Sequence, residues 1–203
     1  MGDHGAVADV GETLVELLRD RMTGLLSDDQ IVLASPADED LKSKVRLTLF
    51  LFDVEGSTPA GSFERPPPTD GTPRREPLRL ELKYLLTALP VGGNGSTTVT
   101  AKSLNEHTVL GRAMQVLRDN AVVGGPDLRG SLADDDERLH VSLLPETTDA
   151  VTNVWNTFRE EPYHPSVSYL VTPVEIESRR EAPADRVEHF RVEERVHVGR
   201  DDE

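Results

Sequence analysis

The chain has no cysteine, only four lysines, few aromatic residues and no long apolar run. Without cysteine there is no disulfide framework, no thiolate metal site and no redox chemistry at sulfur, which fits a reducing compartment. The lysines are Lys42, Lys44, Lys83 and Lys102, and the formal charge is -15. That balance argues against a nucleic-acid partner, because phosphate binding needs clustered cations that displace counterions. No stretch approaches the roughly 20 apolar residues of a membrane-spanning helix. Residues 1–9 carry acids and one His, not a basic patch leading into an apolar run, so they do not read as a secretory signal, and synthesis is expected in the cytoplasm. Scarce lysine among abundant acids suits a halophilic, salty cytoplasm where ions screen self-repulsion, a balance that acidic proteins of ordinary cytoplasm share.

What is present is a chain of 203 residues, long enough to bury a core without staples, with a pattern of alternating strand and helix periods. Val10, Leu14, Leu17, Leu18 and Met22 predict an amphipathic helix over residues 9–22, with Gly24 helping to end it. Residues 31–34 predict a short strand. Residues 44–54, apolar at both parities, predict a strand inside a sheet. Residues 56–77, rich in Gly, Pro, Ser and Thr and including Pro66, Pro67 and Pro68, read as a long loop. Leu78, Leu80, Leu82 and Tyr84 alternate with Arg79, Glu81 and Lys83 in a strand running to Leu86 or Ala88. Gly92, Gly93 and Gly95 close it.

Ser103 with Glu106 matches a capping box ahead of the face Leu110, Ala113, Met114 and Leu117, which predicts a helix ending near Asn120. Leu139, Val141 and Leu143 mark a further strand. Thr147 or Thr148 can cap a helix with the face Val151, Val154, Trp155 and Phe158, stopped by Pro162. Val167, Tyr169, Val171, Val174 and Ile176 complete the sheet, Pro173 indicating an edge or a bulge. The fold class is α+β: a single mixed, mostly antiparallel sheet with helices packed on one face.

Chemistry is hard to find in these residues. Of the six histidines, none has a partner at the spacing of a helical zinc motif. Asp134, Asp135, Asp136 and Glu137 lack the alternating ligands and turn glycine of a calcium loop. Gly92 to Gly95 is not followed by the Lys-Ser or Lys-Thr of a phosphate cradle, and there is no nucleophile elbow. No catalytic residue, cofactor or metal is expected, and Trp155 is expected in the core. A small enzyme or ligand-binding domain with residues 56–77 as a lid is the competing class.

Three segments carry a family resemblance. Leu80 to Ala88 reads LELKYLLTA behind the proline segment Arg65 to Pro68, Leu110 to Leu117 reads LGRAMQVL, and Trp155, Tyr163, Ser166, Val167, Ser168, Tyr169 and Val174 follow in order. Over residues 7–177 this resembles the cap, or tail-terminator, proteins of extracellular contractile injection systems of the Photorhabdus-virulence-cassette type. After Val54 the chain departs from that pattern into a Gly-Ser-Thr stretch. The resemblance implies a hexameric ring that ends the inner tube and holds the last sheath ring, with itself, the tube protein and the sheath protein as partners, in a particle that leaves the cell. A tail terminator of a true phage would look alike.

The division expected is a cap domain over residues 1–177 and a charged, extended tail over 178–203. In the tail Val187, Phe190, Val192, Val196 and Val198 are too sparse for an amphipathic helix. Positions 190, 192, 196 and 198 share the parity of one strand face, which suits an interface segment adding to the open edge of a neighbour's sheet.

Overall fold

The computed structural model describes residues 2–38, 41, 44–57, 77–90, 98–133, 137–145, 147–158 and 161–178. Six strands form one sheet in the order β1-β2-β3-β6-β5-β4. They are β1 (Ile31–Leu33), β2 (Leu47–Gly56), β3 (Leu78–Ala88), β4 (Val122–Gly124), β5 (Arg138–Leu143) and β6 (Ser166–Ile176). β1 runs parallel to β2 and every other neighbouring pair is antiparallel, so the expected mixed, mostly antiparallel sheet is present. The helices are α1 (Ala6–Arg21), α2 (Val99–Asp119) and α3 (Thr148–Trp155).

The main core lies on one sheet face. Val10, Leu14, Leu17 and Leu18 of α1 and Leu110, Ala113 and Leu117 of α2 pack there against Leu47 and Leu49, Leu82, Tyr84 and Leu86, Leu139 and Val141, and Tyr169 and Val171. The helical faces read from the sequence are thus the faces that are buried. Tyr84 is 1% exposed, and burial pushes its hydroxyl pKa up.

α1 starts at Ala6, three residues before Asp9, and past its end Gly24 takes a left-handed φ of 89°. α2 starts at Val99, because Thr98 already caps it, its hydroxyl accepting from Ala101 N at 3.2 Å. Ser103 and Glu106 therefore lie inside the helix and not at its start. α3 is capped by Thr147 as expected but ends at Trp155, leaving Phe158 in the turn beyond. β1 stops at Leu33, and β2 is displaced relative to residues 44–54, running from Leu47 to Gly56.

One expectation resolves to the second of its two alternatives, and another needs correction. Pro173 is not at an edge: β6 lies between β3 and β5, and the register slips between Leu80↔Val174 and Leu82↔Val171. This is the bulge alternative, and the pairing with β5 begins at Thr172, so the missing proline N–H leaves no ladder bond unmade. Nor do the helices share one face. α1 and α2 cover the core side, whereas Phe158, in the turn beyond α3 and against Trp155 at its end, meets Phe50, whose parity is opposite to that of Leu47 and Leu49. Strand β4 had no distinct signal, since three residues are too few to display a period. Residues 58–76, the glycines 92, 93 and 95, Asp134 to Asp136 and the tail from residue 179 lie outside the described residues.

Candidate interaction face

The sheet face turned away from α1 and α2 is the surface on which a function can be sought. Register places its side chains in rows across the strands. Thr48, Thr87 and Ser166 form one row, with 2.8 Å between the Thr87 and Ser166 hydroxyls. Phe50, Leu85 and Ser168 form the next. Then come Asp53, Lys83, Leu170 and Ser142, and after the bulge Thr172, His140 and Val122.

The first two rows are covered. Trp155 is 5% exposed and sits within 5.4 Å of the Phe158 and Tyr163 ring centroids and 5.9 Å of that of His164. Phe158 reaches Phe50 at 5.7 Å. Trp155 is thus buried, as expected, but in a small aromatic cluster separate from the main core. Its Nε1 and the Thr48 hydroxyl are buried with no hydrogen-bond partner among the described residues.

The remaining rows are open and carry charge. Lys83 Nζ donates to Asp53 Oδ2 at 2.9 Å and to Glu55 Oε1 at 2.7 Å. The two carboxylates raise the Lys83 pKa to about 12, and the Lys83 ammonium holds Asp53 below its ordinary value. Ser57 Oγ donates to Glu81 Oε1 at 2.9 Å, and Arg79 pairs with Glu175 at 2.9 Å. Lys83 thus faces two carboxylates, and with Glu81 and Glu175 against Arg79 the acids outnumber the bases here, four to two, so this half of the face is anionic. Val54 and Leu78 are exposed where β2 and β3 leave the sheet toward residues 58–76.

The sheet's two edges differ. At β1, Arg19 of α1 donates from Nη2 to the Ile31 carbonyl at 2.8 Å and from Nε to the Asp28 carbonyl at 3.0 Å. At β4, Val122 is 52% exposed, and no described side chain bonds its outer edge. Sequence reading missed both features, because an edge is a property of strand order. Its own interface candidates, Val187, Phe190, Val192, Val196 and Val198, lie outside the described residues.

Among the described residues no group of three or more His, Asp or Glu could hold a metal ion. No helix there is long and apolar enough to cross a membrane. What the face offers is a polar, anionic sheet surface beside an aromatic cluster and an open strand edge.

No curated protein matches the chain. Among solved structures it is similar to the sheath/tube terminator of an extracellular contractile injection system, PVC, in the extended state. The TM-score there is 0.59 at 16% identity, over 98% of this chain and 67% of that one. It is also similar to the tube-terminating cap of the anti-feeding prophage, with a TM-score of 0.58 at 14% identity, over 92% of this chain and 60% of that one. The chain thus spans about two thirds of the length of these proteins, and at such identities the likeness establishes the fold, that of the tail terminators. A family model for the Pvc16 N-terminal domain matches residues 9–188, and the chain belongs to that family.

Proposed function

We propose that this protein is the structural cap of a contractile injection particle, closing into a hexameric ring that ends the inner tube and anchors the last sheath ring. The observation that carries the reading is the family match over residues 9–188, joined to the terminator fold. The role is one of contact and geometry, not catalysis. A heterologous contact that closes on itself is how identical subunits finish a six-fold tube. The partners are other copies of the chain, the tube protein and the sheath protein. The protein is made in the cytoplasm and built into a particle that is then released.

In this reading residues 1–177 form the terminator domain and 178–203 a charged tail. Val187, Phe190, Val192, Val196 and Val198 are its contact residues, alternate side chains seated on a neighbour while the backbone extends a sheet.

The test is co-expression with tube and sheath proteins. Particles of uniform length with this protein at the tube end are expected, and omitting its gene abolishes the length control. A strict monomer at micromolar concentration in high salt, absent from the particles, overturns the reading.

A further inference from the structure

We propose that the outer edge of β4 is the acceptor for the extended tail segment, residues 186–198, of a second copy of the chain. The inference rests on the ring-forming cap reading and names the surface that would join its subunits. Val141 N donates to the Ala121 carbonyl at 2.8 Å, and Val123 lies opposite Leu139. In an antiparallel ladder the bonded residues alternate, so Ala121 and Val123 turn toward β5 while Val122 and Gly124 turn their N–H and C=O outward. Nothing among the described residues takes the Val122 N–H and C=O or the Gly124 N–H, whereas the Gly124 carbonyl serves the short helical turn Gly125–Asp127 that it caps. The far edge, by contrast, has Arg19 seated on the outward carbonyl of Ile31, a guard of the kind that keeps a sheet edge from pairing. One edge is stoppered and the other is open.

The open edge also has the right side-chain surroundings. Val122 lies abreast of His140 and Thr172 on the uncovered face, so an added strand continues an existing row. Gly124 contributes bare backbone, and the exposed Arg138 opposite it offers a cation to Glu193 or Glu194 of the incoming segment.

The donor is a second copy because of where the chain leaves the sheet. β6 ends at Ile176, on the side where β4 ends at Gly124, since Gly124 pairs with Arg138 at the start of β5. Glu177 N there donates to the Gly2 carbonyl at 3.0 Å, and the connection from β4 to β5 crosses the same end. A chain's own tail is two strand spacings, about 10 Å, from β4, but to reach it the tail must pass over that connection. Connections at one end of a sheet avoid such crossings. A neighbour's tail does not have to make that crossing, and twelve residues, 179 to 190, reach about 40 Å when extended.

Because the chain lacks cysteine, cross-linking reads the arrangement directly. One copy carries Val122→Cys and a differently tagged copy carries Phe190→Cys, Val192→Cys or Val196→Cys. Under mild oxidation a mixed disulfide between copies is expected from at least one of the three pairs. In parallel, Val122→Pro removes an N–H that the β4–β5 ladder does not use, and Val122→Lys places a charge on the edge without any backbone demand. Each is expected to weaken subunit association by about tenfold or more, with no further effect in a chain ending at Ser178. Mixed disulfides absent from all three pairs, a link formed only within one chain bearing both cysteines, or unchanged association in both Val122 variants overturns the proposal. Wild-type protein located at tube ends in the same preparations keeps the cap reading standing when the edge proposal fails.

Discussion

Asp9 and Gly130 are joined by a contact that neither residue announces. An acid in the first turn of a helix reads as a partner for the helix dipole, yet Asp9 Oδ2 accepts from Ser131 N at 2.8 Å and from Ser131 Oγ at 2.6 Å. Thr13, one turn on and fully buried, accepts from Arg129 N at 3.0 Å. Gly130 has a φ of 58°, and a Cβ there would fall on the Asp9 carboxylate. Gly130→Ala is therefore expected to cost on the order of 2 kcal/mol, from backbone strain and displacement of the clamp, and urea denaturation checks it. Lys83 supplies a second test. Its pKa is raised from 10.5 to about 12, so its contribution to stability is fully present below 10.5 and is lost as pH rises through about 12. Asp53, whose pKa is depressed, contributes above its ordinary value and loses that contribution as pH falls through the folded one. Thermal melting between pH 10 and 12 should fall less steeply in Lys83→Met than in the wild type, and equal slopes would exclude this cation as the source.

At the scale of elements, α2 separates a helix signal from a helix start. Thr98→Ala removes the hydroxyl that accepts from Ala101 N and should cost about 1 kcal/mol. Ser103→Ala, the capping position read from the sequence, lies inside the helix, where alanine is the better former, and should change stability by no more than a few tenths of a kcal/mol. Paired urea midpoints decide between the two starts. α3 is eight residues long and is held chiefly by its aromatic end. Trp155→Ala empties the site shared with Phe158, Tyr163 and His164 and should cost about 3–5 kcal/mol. Because Trp155 is the only tryptophan, unfolding of that variant is followed by far-ultraviolet circular dichroism, and an unchanged midpoint would place the ring outside the packing.

For the whole molecule, the formal charge of -15 sets a condition on assembly. Copies of the chain repel one another at long range, and screening shortens the Debye length from about 8 Å at physiological salt to about 3 Å at 1 M. Subunit association should tighten as salt rises. Sedimentation at several salt concentrations measures this, and association that weakens with salt would mean that ion pairs across the interface outweigh net repulsion. Much of the fold was readable in the residues themselves. The faces Val10, Leu14, Leu17, Leu18 and Leu110, Ala113, Leu117 are the buried ones, and Leu80, Leu82, Tyr84 and Leu86 line the core, because periods of 3.6 and 2 record which side of an element avoids water. The three segments that carried the family resemblance are likewise a property of the chain read in order. What the tertiary structure alone decided is where elements stand relative to one another: that α3 covers the second face, that β6 and its proline lie inside the sheet, that Arg19 closes one edge and that β4 leaves the other open. Periodicity fixes which face of a strand is buried, whereas strand order depends on contacts between segments far apart in the chain, and no local pattern records those.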